Sequence, residues 1–170
     1  MAIELPRVLK NMNLFVDGRG YAGRVDEIQL PKLTLKTEEH RAGGMDLPVE
    51  LDLGMEKLEA QLTISDFDPE LFKLFGLLDV SEAQLTLRGA IQAQGQTAQP
   101  VVVNLRGGWK ELDPGTWKPG DKSTLTVMVA ARYYKLAINE EELVEIDAVN
   151  LVRKVGGVDQ MEAIRTAIGL

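Results

Sequence analysis

The chain of 170 residues contains no cysteine, which excludes disulfides, thiolate metal sites and cysteine nucleophiles. Histidine occurs once, at His40, so a histidine-based metal cluster is out of reach, and one histidine without a clear partner does not establish a serine triad. No apolar run is long enough to span a bilayer, and the start Met-Ala-Ile-Glu-Leu-Pro lacks the basic opening and apolar middle of a signal peptide. The chain is therefore expected to be made in the cytoplasm without a membrane anchor. Basic residues are outnumbered, giving a formal charge of −7. That argues against a protein that grips nucleic acid by displacing counterions, but not against nucleic acid passing nearby. No internal repeat, low-complexity tract or linker divides the sequence, and its length suits one domain over residues 1–170.

One motif that is present invites a wrong conclusion. Gly18, Gly20 and Gly23 spell the G-x-G-x-x-G of a dinucleotide-binding turn. The chemistry of that motif needs a strand before it and a helix after it, with amides facing a pyrophosphate. Here Pro31 follows soon after, and Leu33 and Leu35 alternate with Lys32, Thr34 and Lys36, which is strand periodicity. Asn13 to Val16 reads as a strand and Asp17-Gly18 as a tight turn, so a hairpin is expected and no nucleotide or other cofactor.

Period-two alternation dominates the rest. Leu58, Ala60, Leu62 and Ile64 alternate with polar residues, as do Leu85, Leu87, Ile91 and Ala93. Further strands are expected over Val101 to Lys110, Ser123 to Ile138 and Leu143 to Arg153, with Leu125, Val127, Val129, Ala131 and Tyr133 sharing one face of the second. Two helices are expected. Asp68 caps the first, Pro69 opens it and Gly76 closes it; Leu71, Phe72, Leu74 and Phe75 form its apolar side. The second runs over about 158–168, where Val158, Met161, Ile164 and Ile168 recur at near-helical spacing. The fold class is thus mainly β with two short helices, an antiparallel sandwich or open barrel.

The stretch from Thr37 to Gly54 is a connection out of proportion to such a domain. Its apolar Met45, Leu47 and Val49 and its charged Glu38, Glu39, His40, Arg41 and Asp46 suggest a projecting arm that orders against a partner. No catalytic arrangement stands out. Glu140-Glu141-Glu142 falls in a turn, Asp66, Asp68 and Glu70 look like helix-capping chemistry, and Ser65, Ser81 and Ser123 lack a nucleophile elbow. Trp109 and Trp117 flank the turn at Pro114-Gly115; packing is their simpler role, and stacking on a carbohydrate ligand is the alternative.

Four stretches carry a specific likeness: Leu9-Lys-Asn-Met-Asn-Leu-Phe-Val-Asp-Gly18, Ala42-Gly-Gly-Met-Asp-Leu-Pro-Val49, Phe67-Asp-Pro-Glu-Leu-Phe72, and Gly157-Val-Asp-Gln-Met161 with Ile168-Gly-Leu170. In this order, over nearly the whole chain, they resemble the major tail tube proteins of contractile-tailed bacteriophages and the similar R-type pyocin tubes. The resemblance implies a non-enzymatic structural subunit whose sheets join into hexameric rings, stacked into a hollow conduit for DNA or ions. Its implied partners are further copies of itself, a tail sheath protein, baseplate and tail-end proteins, and a tape measure during assembly. DNA would pass without specific binding.

Under that resemblance the arm residues Glu38, Glu39, His40, Arg41, Met45, Asp46, Leu47 and Val49 are expected to contact an adjacent ring. Asp66, Asp68, Glu70, Asp79 and Glu82 would face the sheath by charge complementarity. Gln84, Thr86, Gln92, Gln94, Thr124 and Thr126 are expected to line the lumen, with acidic side chains joining them and with the Phe72 and Phe75 helix away from it.

Overall fold

The computed structural model describes residues 3–79 and 83–170. Ser81 and Glu82 lie outside the described residues. The chain forms β1 (Val8–Val16), β2 (Arg19–Gly20), β3 (Val25–Gln29), β4 (Leu35–His40), β5 (Val49–Met55), β6 (Leu58–Ile64), α1 (Pro69–Phe72), β7 (Gln84–Gln92), β8 (Gln99–Asp113), β9 (Leu125–Ile138), β10 (Glu141–Asp147), β11 (Val152–Val155), β12 (Val158–Asp159) and α2 (Glu162–Ala167). All pairings between these strands are antiparallel.

The hairpin expected at Asp17-Gly18 is present. Phe15 pairs with Gly20 and Val16 with Arg19, and both turn residues take positive φ, 48° and 78°. Two successive left-handed positions match the twist of the flanking strands, which is why Asp-Gly serves here. Gly23 is followed by a strand, not a helix.

The main sheet runs β12-β11-β10-β9-β8-β7-β1-β2, and β6 and β3 branch from it. The branch arises on one edge of β9. Leu125 to Ala131 pair with β6, whereas Tyr133 to Ile138 pair with β10. The period-two pattern of β6 buries Leu58, Ala60, Leu62 and Ile64 against Leu125, Val127 and Val129 of β9. Val103, Leu105 and Trp109 of β8, Leu85 of β7, Leu14 and Val16 of β1, and Leu71 of α1 complete the same core. Each such side chain contributes about 1.5–3 kcal/mol through burial.

Register shifts correct the expected faces of β9. Arg106 pairs with Tyr133 but Gly107 with Ala131, so Arg132 is an extra residue on the bulged strand. The bulge turns Tyr134 into the core, at 3% exposure, and leaves Tyr133 on the opposite, polar face instead of beside Val129. Gly107 makes this possible, because a Cβ there would lie 2.1 Å from the Ala130 carbonyl oxygen and 2.7 Å from the Ala131 Cα.

Three other expectations change. The arm over Thr37 to Gly54, read as a connection without secondary structure, is built from β4 and β5, which form a separate two-stranded sheet. The strand expected from Leu143 to Arg153 is two strands, because the Asp147 carboxylate accepts from the Val149 and Asn150 amides and folds the backbone into a turn. The C-terminal helix spans only Glu162–Ala167, since the turn at Gly156–Gly157 sends Val158 and Asp159 back along β11.

Because the obstruction at Gly107 is backbone, Gly107→Ala is expected to destabilise the subunit by about 3 kcal/mol. Urea unfolding followed by circular dichroism measures this; a loss below about 0.5 kcal/mol, the range of ordinary surface changes, would show that the bulge does not depend on glycine.

Candidate functional site: assembly surfaces

The arm is a ribbon with two unlike faces. Glu38 pairs with Leu51 and His40 with Val49, while Thr37 pairs with Asp52 and Glu39 with Glu50. Strand alternation therefore gathers Val49, Leu51 and Leu53 on one face and Glu39, Glu50 and Asp52 on the other. The three apolar residues are exposed, as is Leu47 in the connecting loop. β4 is exposed along its whole length. The Arg41 guanidinium donates to the Met45 carbonyl at 3.2 Å and closes the loop that carries Asp46. At its base, Asp52 pairs with Arg153 of β11 at 3.0 Å, and the Gly54 amide and that guanidinium hold its carboxyl below the usual range. The expected arm residues are thus brought together on one projection. Leu51 and Leu53 belong with them, and the alternation Val-Glu-Leu-Asp-Leu was the signal for it.

The acidic cluster around α1 contains the expected helix cap and is paired with cations of its own subunit. Asp68 caps the helix by accepting from the Glu70 amide at 3.0 Å, and the Tyr21 hydroxyl donates to it at 2.8 Å. Arg24 donates to Asp66 at 2.8 Å and lies 4.3 Å from the Tyr21 ring centroid. Arg19 and Lys73 both pair with Glu70, at 2.8 and 2.7 Å. The glycine-rich hairpin after β1 thus supplies Arg19, Tyr21 and Arg24 as the counterpart of these carboxylates. Asp66, Asp68 and Glu70 are compensated within the subunit, and Asp79 lies at a groove it shares with Arg106 and Arg132. Glu82 is outside the described residues. The same helix sends Leu71 into the core but leaves Phe72 exposed at 40%, and the segment after it exposes Phe75 at 52% and Leu78 fully, so the helix expected to run to Gly76 ends at Phe72.

The residues expected along the lumen divide into groups. Gln84, Thr86 and Gln92 alternate on the polar side of β7, beside Asn104 and Arg106 of β8 and Tyr133 and Lys135 of β9. Gln94 lies past the end of β7. Thr126 pairs with Asp113 whereas Thr86 pairs with Asn104. Nine positions of β8 separate the two threonines, about 30 Å at the rise of a strand, and Thr124 precedes β9. The face around Gln84 and Thr86 also bears Arg88, Arg106 and Lys135, beyond the small polar and acidic lining expected. Arg88 and Arg106 were both legible in the alternation of their strands, β7 and β8.

Of the tryptophans, Trp109 is buried at 1% exposure, so packing is its role. Trp117 is exposed, meets Phe67 edge-on at 5.2 Å and donates its indole N–H to the Pro114 carbonyl. The two make no shared stacking platform.

The surfaces of this chain are therefore a projecting ribbon, a broad polar sheet face and open strand edges. The family model for phage tail tube protein FII matches residues 6–169. The chain belongs to that family. It is 37% identical over 173 residues to the tail tube protein of Escherichia phage P2, covering 99% of this chain and 100% of that one. It is 35% identical over 171 residues to the major tail tube protein of Serratia phage KSP20, covering 99% of each. A solved chain from the sheath/tube terminator of an extracellular contractile injection system, PVC, shares the fold with a TM-score of 0.62 at 14% identity, covering 80% of this chain and 99% of that one. The protein is a structural subunit of a tail tube, and the carbohydrate-binding alternative is not favoured.

The Tyr21–Asp68 contact ties the glycine-rich hairpin to α1 and makes stability depend on pH at both ends. The Glu70 amide first, and the Tyr21 hydroxyl second, hold Asp68 below the usual carboxylate range. Burial first, and the Asp68 contact second, push Tyr21 up to about 12. A depressed carboxylate stabilises above its unfolded pKa of about 3.9, and the effect is lost as pH falls through the folded value. A raised phenol stabilises below about pH 10, and the effect is lost as pH rises through the folded value. Tyr21→Phe is expected to weaken the acid dependence of Tm and remove part of the alkaline one. Profiles that superimpose on those of the unsubstituted protein would show that the contact does not contribute.

Proposed function

We propose that this subunit forms hexameric rings that stack into the inner tube of a contractile tail, with the β4–β5 ribbon reaching the adjacent ring. The observation that carries the reading is the ribbon itself. An isolated two-stranded hairpin is at best marginally stable in water. Here β4 is exposed throughout, and Leu47, Val49, Leu51 and Leu53 are presented to solvent. A surface of that kind is completed by a partner, and a head-to-tail contact between copies generates a filament. Strand edges support lateral association. β2 covers only Phe15 and Val16 of β1, so the edge from Val8 to Asn13 has no strand partner among the described residues. Pairing that edge with a neighbouring copy satisfies its backbone groups.

In this reading the polar face of β7, β8 and β9 faces the channel and DNA passes along it in a phage; in a bacteriocin-like particle the cargo is ions. A sheath surrounds the tube, baseplate and tail-end proteins close it, a tape measure occupies it during assembly, and assembly takes place in the bacterial cytoplasm. Asp66, Asp68 and Glu70, three of the residues assigned to the sheath contact, are also paired within the subunit, so the charge they offer a sheath is partly compensated.

Deleting Ala42 to Leu47 removes the tip of the ribbon while leaving the core strands intact. The variant is expected to fold with an unchanged circular dichroism spectrum and to yield single rings or soluble subunits, not tubes, in negative-stain images. Tubes of normal length and yield from the variant would overturn the role of the arm.

A further inference from the structure

The polar sheet face carries charge unevenly across its strands. Cross-strand registers define three rows: Gln84, Arg106, Tyr133 and Asp147; Thr86, Asn104, Lys135 and Glu145; and Arg88, Val102, Ala137 and Glu142. The carboxylates lie on β10 and the arginines on β7 and β8. Lys135, between them, is taken by Glu142 at 2.6 Å. Arg88 is exposed, and the carboxylate on its own row is three strands away, about 14 Å. That exceeds the screening length of about 8 Å at physiological ionic strength. Arg106 lies 4.1 Å from the centroid of the Tyr133 ring, which holds the guanidinium in place, and it shares its row with Asp147, two strands away, whose charge it feels, so Arg88 is the less compensated of the two arginines. Between the arginines stand only neutral hydrogen-bonding side chains, with Thr86 donating to Asn104 at 3.2 Å. Gln84, Thr86, Asn104, Arg106 and Tyr133 line a shallow groove of about 210 Å³.

We propose that Arg88 and Arg106 form a phosphate-contacting patch for nucleic acid moving through the tube. The inference rests on the reading that this face lines the channel. The ligand chemistry is the phosphodiester backbone, without regard to sequence, since a guanidinium offers planar donors to any phosphate. Repetition around each ring and along the stack turns one weak contact per subunit into a regular ladder. The acidic side chains on β10 break that ladder laterally, so a backbone meets alternating attraction and repulsion and is not held in one place. This adds cationic side chains to the lining of small polar and acidic ones expected from the conduit role alone.

The test uses assembled tubes and a short, labelled single-stranded oligodeoxynucleotide. Bound oligonucleotide is measured by co-sedimentation across a range of salt concentrations. Unsubstituted tubes are expected to bind it in a salt-dependent manner. The double variant Arg88→Gln with Arg106→Gln should lose about tenfold or more in affinity at low salt and show a shallower salt slope. Arg88→Gln alone, at an exposed side chain, carries the same test if the double variant does not assemble, with Arg88→Lys expected to restore binding. No binding by unsubstituted tubes, equal binding by the glutamine variants, or capture of an acidic peptide in place of the oligonucleotide would overturn the proposal. Helical reconstruction of the loaded tubes separates the two claims. Density inside the channel beside Arg88 supports both, whereas density on the outer wall overturns the channel reading and leaves the arginine contact standing.

Discussion

The fold depends on one strand edge being shared between two partners. β9 is paired with β8 along almost all of its length, so only its other edge is available, and that edge serves β6 over one half and β10 over the other. An edge can change partner only where its twist and its inward-facing residues change together, and the bulge at Arg132 does both. Without it, the alternation that puts Val127 and Val129 into the core would continue to Tyr133 and expose Tyr134. The close backbone approach at Gly107 is what makes the bulge fit. The packed core on one side and the broad polar face on the other both follow from this crossing.

Much of the fold was legible because its determinants are local. The Asp17-Gly18 turn, the cap at Asp68 and the alternation of β6 and β7 are written in neighbouring residues. What could not be read was set at a distance. A bulge is a mismatch between two strands, and neither β8 nor β9 shows it alone. The division of residues 143–153 into two strands turns on Asp147 bonding to the amides of Val149 and Asn150, a signal weaker than the valines and leucines around it. The short α2 gave way because pairing Val158 and Asp159 with β11 offered those residues backbone hydrogen bonds that the first turn of a helix leaves unmade.

The assembly surfaces divide in the same way. The arm was found by its length and its exposed apolar residues, but its two faces appear only once register is known. The acidic cluster near α1 looked like a surface offered to a partner because a sequence does not display which cations lie opposite. Arg19, Tyr21 and Arg24 are more than forty positions from the carboxylates they meet. The glycines that imitate a nucleotide-binding turn have a structural use: they bend the chain sharply enough to bring those three residues onto α1.

The ribbon also bears on how a polymer of this subunit would grow. Its strands have little to pack against in their own subunit, so ordering them costs conformational entropy that only an incoming surface offsets. In the proposed stacking, that cost falls on the first contact between two layers and is already met for each later one, because an occupied end presents a preformed seat. Growth by that route would be slow to begin and fast to continue, and a free subunit would stay free until it met an end already built.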